Sequence, residues 1–234
     1  MFSVKIITAY PEIFPGVLGH SIIGKALKEK KWFLEIINLY DFGHEERNAI
    51  DDIPFGGGPG MILRPDVVEK AVNFIDQNSN RKSYLLYMSP SGKALKQADL
   101  VKFSSMDQIV ILCGRFEGVD ARAIDVLGFQ EVSIGDYIIA GGEVAAQALV
   151  EGCIRLLPGV LGHPESILEE SFSNNLLEYP QYTRPQVWTD ARNKEHNVPD
   201  ILLSGHHGKI KEWRNNKSLE KTKKNRPDLL NKKK

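Results

Sequence analysis

Three glycine-bearing segments, Tyr87-Met88-Ser89-Pro90-Ser91-Gly92, Cys113-Gly114-Arg115-Phe116-Glu117-Gly118 and Ser133 through Glu143 (SIGDYIIAGGE), hold residue types suited to ligand binding. Glycine lets a backbone approach a ligand closely and expose N–H and C=O groups that read the edge of a nucleobase. None of the three matches GxGxxG or GxxxxGK[ST], so neither a dinucleotide fingerprint nor a P-loop is supported. Taken singly, each is weak evidence, since a glycine in such a place is more often only a turn. A fourth stretch, Asp51 through Met61 (DDIPFGGGPGM), sets paired carboxylates before a triple glycine bracketed by prolines. Such a loop is flexible within and pinned at both ends, as a lid or substrate loop requires. His44 and Arg47 just upstream are candidates for phosphate contacts and equally for ordinary surface positions. An acidic cluster, Glu165, Glu169 and Glu170, falls in a stretch without periodicity.

Each of the three glycine segments follows a run rich in β-branched and aromatic residues, and such runs alternate with segments of helical period. That alternation predicts a parallel sheet with covering helices, in which ligands bind beyond the carboxyl ends of the strands. Strands are expected at Phe2–Ile7, Phe33–Asn38, Ser83–Met88, Gln108–Cys113 and Gln130–Ile134. Helices are expected at Val17–Lys30, Pro65–Gln77, Leu95–Phe103, Ala121–Leu127 and Glu143–Leu156. In the second helix Val68, Ala71, Val72 and Ile75 form the i, i+3, i+4, i+7 stripe of a buried face, and Pro65 suits the first helical position. The α/β domain is expected to span residues 1–160. A linker at 161–185 and a small, basic, helical domain at 186–234 follow, with Ile210, Trp213 and Leu219 as its core contacts.

Composition narrows the classes. The chain of 234 residues is 42% hydrophobic, enough for one good core and an appendage. The longest stretch free of Asp, Glu, Lys and Arg is residues 13–24, too short at about 1.5 Å per residue to cross about 30 Å of hydrocarbon. The N-terminal apolar run has no h-region and no cleavage site, so the sequence predicts a soluble cytoplasmic protein with no membrane partner. Cys113 and Cys153, forty residues apart with no CxxC, read as buried thiols rather than a disulfide or metal site. The zero net charge divides unevenly: Gly205–Lys234 has 11 Lys or Arg against 3 Asp or Glu, the remainder 19 against 27. A basic run such as Lys221-Thr222-Lys223-Lys224-Asn225-Arg226 suits phosphate contacts, though a solvated helix face has the same composition.

Six segments occur in one order: DIPFGGGPGM from Asp52, CGRFEGVD from Cys113, SIGDYIIAGGE from Ser133, PGVLG from Pro158, YTRP from Tyr182 and LLSG from Leu202. In this the chain resembles the bacterial tRNA (guanine-37-N1)-methyltransferase family over nearly its whole length. The resemblance implies a trefoil-knotted α/β domain of the SPOUT superfamily, an exception to the rule against threaded chains. It also implies S-adenosyl-L-methionine as methyl donor, the anticodon arm of tRNA as partner, and a homodimer with its sites at the subunit interface. Carried over by motif position, the donor-binding residues are Tyr87, Met88, Ser89, Pro90, Gly114, Glu117, Gly118, Ser133, Ile134, Gly135, Tyr137, Ile139, Gly141 and Gly142. The motifs neither call for Mg2+ nor exclude it.

Guanine N1 carries a proton at neutral pH, so its methylation needs a base for N1–H and a donor for charge growing on O6. The resemblance assigns these roles to Glu170 and Arg155. The family usually has Asp before the Ser-Phe of the linker; this chain has Glu169-Glu170, so either glutamate fits the position. Ala145 stands where the family often has Pro. Without the resemblance, Arg155 is a cation suited to a helix C-terminus. A non-catalytic RNA-binding protein on the same scaffold would not need the Arg155 and linker carboxylate pair. A ribose 2′-O-methyltransferase would not be expected to carry the Gly56-Gly57-Gly58 loop.

Overall fold

The computed structural model describes residues 1–44, 48–162, 170–172 and 174–230. The chain divides after Gly162 into two compact units. In the first, five strands form one parallel sheet: β1 (Phe2–Thr8), β2 (Trp32–Asn38), β5 (Ser83–Ala94), β6 (Gln108–Cys113) and β7 (Gln130–Ser133), in the order β2-β1-β6-β5-β7. A two-stranded ribbon of β3 (Asp51–Asp52) and β4 (Ile62–Leu63) closes the base of the glycine-rich loop. The helices of this unit are α1 (Ser21–Lys28), α2 (Pro65–Gln77), α3 (Gln97–Ser104), α4 (Ala121–Leu127) and α5 (Glu143–Ile154).

The near-continuous hydrophobic strands reflect burial on both faces, as parallel sheets require. Period-two alternation sorts them. Val4, Ile6, Ile109, Ile111 and Cys113 pack with α1, α3 and α5 residues such as Ile23, Phe103 and Leu149. Ile7, Val110 and Leu112 pack with the α2 stripe Val68, Ala71, Val72 and Ile75 and with Ile124 of α4. Lys5, buried on β1, is tolerated because Glu35, its register partner on β2, sits 2.8 Å away. Among the described residues no helix is long and apolar enough to cross a membrane.

The expected strands all form, and α2 and α4 have the expected bounds. The ends of α3 and α5 shift by up to two residues, and two elements differ by more. The single helix expected over Val17–Lys30 is a 3-10 turn at Gly16–Gly19 followed by α1, broken where His20 is extended and Ser21 takes a φ of 52°. The apolar period runs through this break because Leu18, Ile23 and Ala26 still reach one core. β5 does not end at Met88. Met88 and Lys93 both pair with Val132 of β7, so Ser89–Gly92 bulge out of a strand that resumes and runs to Ala94.

The second unit holds a hairpin of β8 (Val187–Thr189) and β9 (Glu195–Asn197), then α6 (Asp200–Leu203) and α7 (His207–Asn225). The short helices expected beyond Pro199 are therefore dominated by one of 19 residues. Ile210 and Trp213 are half-buried as expected of core contacts, but Leu219 is 36% exposed. The buried positions of α7 are Ser218 and Thr222. The Thr222 hydroxyl donates to the Ser218 carbonyl at 2.7 Å and accepts from the Leu177 N–H at 2.8 Å, so polar groups satisfied in pairs replace an apolar anchor.

Candidate active site

The loops after β6 and β7 and the bulge within β5 converge at the carboxyl edge of the sheet around one cavity of about 530 Å³, within the usual range of small-ligand sites. All fourteen residues named above as donor-binding line it. So do several that motif reading passed over, among them Arg115, Phe116, Ile124, Asp125 and Glu131. Arg115 and Phe116 lay inside a quoted motif; Ile124 and Asp125 come from α4, whose packing against this edge no local pattern signals.

The three loops are packed too closely for side chains at their crossing. A Cβ on Gly142 would lie 2.8 Å from Cys113 Cα and 3.0 Å from Gly114 N. The gap is closed by the Gly142 N–H donating to the Gly114 carbonyl at 3.0 Å. Tyr87 is buried below, and burial first, with the Glu131 carboxylate second, raises its phenol above the ordinary value. It is a neutral hydrogen-bonding group at pH 7. Burial pushes the Cys113 thiol well up, with Glu143 adding to the rise, and pushes Cys153 up to about 12. Neither thiol supplies a nucleophilic thiolate.

Behind the cavity lies a polar knot of side chains that sequence reasoning missed. Glu143, 1% exposed at the start of α5, accepts from Thr8 Oγ1 at 2.8 Å and from Arg115 Nε at 3.1 Å through Oε1. Arg115 Nη2 lies 2.9 Å from Oε2, within ion-pair range but off the axis of a directed hydrogen bond, which leaves Oε2 without one. Arg115 Nη1 reaches the Ala140 carbonyl at 3.4 Å, and its guanidinium stacks 4.3 Å over the Tyr10 ring. One arginine thus ties the end of β1 to the 113–118 and 135–142 loops. Its charge is spent on Glu143, so the remaining charged lining, Glu117, Asp125 and Glu131, is acidic. A cationic ligand fits that lining.

The glycine-rich loop abuts the same region. The Glu117 N–H donates to the Met61 carbonyl at 2.9 Å, and the Leu63 N–H to the Gly118 carbonyl at 2.9 Å. Gly56, Gly57 and Gly58 all have positive φ and no protein atom within 4 Å of where a Cβ would stand. His44 is engaged with Asp66 at 2.9 Å, which also takes Arg64 at 3.1 Å. Arg47, Glu165 and Glu169 lie outside the described residues. Arg155 caps the C-terminal end of α5, its N–H on the Glu151 carbonyl at 3.1 Å, and is half-buried. Glu170 is half-buried in the second unit. The fourteen lining residues are brought together within one unit, whereas Arg155 and Glu170 belong to different ones.

Fold and site define an α/β protein with a backbone-rich, acidic ligand cavity at the carboxyl edge of a parallel sheet. Within that class, the sequence profile described as tRNA (Guanine-1)-methyltransferase TrmD matches residues 2–232, and the chain belongs to that family. A Wolbachia pipientis subsp. Culex pipiens (strain wPip) protein named tRNA (guanine-N(1)-)-methyltransferase is 48% identical over 232 residues, covering 98% of this chain and 97% of its own. Proteins of the same name from Ruegeria sp. (strain TM1040) and Ehrlichia canis (strain Jake) are 49% and 48% identical, covering 98% and 97% of this chain and 92% and 94% of their own. The resemblance carried by the six ordered motifs is thereby confirmed.

Proposed function

We propose that this chain is a tRNA (guanine(37)-N(1))-methyltransferase that takes its methyl group from S-adenosyl-L-methionine. The observation that carries the reading is the convergence of all fourteen motif-assigned residues on one cavity in a chain of this family. The donor, bound there, supplies a methyl on a sulfonium, whose transfer to guanine N1 leaves a neutral thioether. Its cationic sulfonium and ammonium suit the carboxylates of Glu117, Asp125 and Glu131, and its adenine suits exposed backbone groups beside Ile134 and Ile139. Glu170 accepts the N1 proton and Arg155 donates to O6, so the base becomes nucleophilic as its carbonyl charge is met.

The same reading includes a trefoil-knotted chain path. Its support is that β7 lies at the sheet edge beyond β5, while α5, the next element, packs back over β1 and β6. The intervening segment passes the 113–118 loop at the Gly142 to Gly114 contact. The basic second unit contacts tRNA phosphates through exposed cations such as Lys223 and Lys224. Lys221 is committed to the Glu178 carbonyl at 3.0 Å. Work on tRNA places the protein in the cytoplasm.

The test is to incubate the protein with methyl-labelled S-adenosyl-L-methionine and unmodified tRNA and identify the product nucleoside by mass spectrometry. 1-Methylguanosine is expected; a ribose-methylated nucleoside, or none, overturns the proposal. Glu170→Gln should lower single-turnover kcat by about 10²- to 10⁴-fold, the usual worth of a general base, with donor affinity intact. A Glu170→Gln enzyme at wild-type rate beside an inactive Glu169→Gln one would move the base by one residue.

A further inference from the structure

The β8–β9 hairpin is not explained by folding. Every residue of both strands is exposed, and isolated two-stranded ribbons are marginal in water. Its conformation is nevertheless specified. Ala191-Arg192-Asn193 form a three-residue loop with Asn193 at a φ of 58°, and Asp190 Oδ1 accepts from the N–H groups of Arg192 and Lys194 at 2.8 and 3.0 Å. Trp188 and His196 are register partners across the ribbon, their rings 5.2 Å apart and tilted by 30°. Asp190 Oδ2 lies 3.0 Å from His196 Nε2 and holds that ring in place. By the two-residue period Lys194 stands on the Trp188 and His196 face, while Val187, Thr189, Glu195 and Asn197 take the other.

One face of the ribbon therefore presents a fixed aromatic pair with a cation beside it and Arg192 at the tip. Trp188 is 58% exposed, far more than Trp32 at 1%. Among the described residues neither Arg192 nor Lys194 pairs with a carboxylate. Aromatic faces interleaved with cations are the composition that grips unpaired nucleotides, the ring stacking on a base while the cations meet phosphate.

We infer that the Trp188–His196 face is a stacking platform for an unpaired base of the RNA substrate, with Arg192 and Lys194 on the adjoining phosphates. The inference rests on the proposed action on tRNA and assigns part of its recognition to residues outside the cavity. A second copy of this chain would not explain the unpaired cations, whereas an anionic strand does.

The test uses the full chain. Trp188→Ala should raise both the Kd and the KM for unmodified tRNA by roughly 5- to 100-fold, the span of single base-stacking losses, with kcat at saturating tRNA little changed. Trp188→Phe should restore most of the affinity. S-adenosyl-L-methionine binding, measured by calorimetry, should be the same in all three proteins. Tryptophan fluorescence quenched by tRNA in the wild type should be lost in Trp188→Phe, and Arg192→Ala/Lys194→Ala should flatten the salt dependence of binding. An unchanged tRNA affinity in Trp188→Ala overturns the inference, as does loss of self-association in that variant with RNA affinity intact. If the wild type itself neither binds nor methylates tRNA, the proposed function falls as well; if it does both and Trp188→Ala matches it, only the platform falls.

Discussion

Glu143 is the residue on which the cavity wall hangs. Its carboxylate meets Thr8, 135 residues away in sequence, and Arg115, 28 away, at the point where three loops cross. Removing one partner of a buried pair strands the other, which costs about 3–5 kcal/mol. Glu143→Ala should therefore lower unfolding free energy by that order, measured by urea denaturation, and Glu143→Gln by less because the amide still accepts from Thr8. The Arg115→Ala/Glu143→Ala double variant should lose much less than the sum of the two single changes. Additive losses would mean that the two side chains do not act as a pair. The motif spelling around both residues was legible as family resemblance; their contact was not, since nothing local to either position marks the other.

At the scale of elements, α2 was legible to the residue because everything that defines it is local: Pro65 at its first position, the Val68, Ala71, Val72 and Ile75 stripe, and Asp66 in its first turn. Asp66 lies at the positive end of the helix dipole and accepts from Arg64, whose guanidinium, more than any other group, holds its carboxyl below the usual value. A carboxyl whose folded pKa is depressed contributes stability above its unfolded value, near 4, and that contribution is lost as pH falls through the folded value. Between about pH 5 and pH 2 the wild type should lose melting temperature faster than Asp66→Asn. The difference is on the order of 1 kcal/mol once solvent screening of this partly exposed group is allowed for. Parallel melting curves across that range would remove the effect. The β5 bulge and the break before α1 were not legible for the opposite reason: one is set by pairing to a strand forty residues on, the other by where the turn at Gly16–Gly19 packs.

The whole molecule leaves apolar surface uncovered around the start of α5 and the turn packed upon it. Ile138 is 81% exposed, Val144 64% and Val17 58%, and large apolar side chains left in water near one another mark interaction surfaces. This supports the homodimer as a proposal, with each cavity completed by the other copy. Light scattering should give twice the 26.3 kDa chain mass, and Val144→Asp should yield monomer with methyl transfer lost in step. A fully active monomer would end that proposal.

The sequence by itself determined the class of fold, the existence of five strands and the bounds of four of them to within a residue, two buried thiols and the segments that surround the cavity. Each of these is written in neighbouring residues, as a period of two or 3.6 or as a motif. Only the tertiary structure decided the order β2-β1-β6-β5-β7, the Thr8, Glu143 and Arg115 contact, the replacement of Leu219 by Ser218 and Thr222 in the buried face of α7, and the aromatic ribbon at Trp188 and His196. These depend on which distant segments meet. Contacts made between residues far apart in the chain are chosen by packing and by the need to satisfy buried polar groups, and they leave no periodic trace at either end.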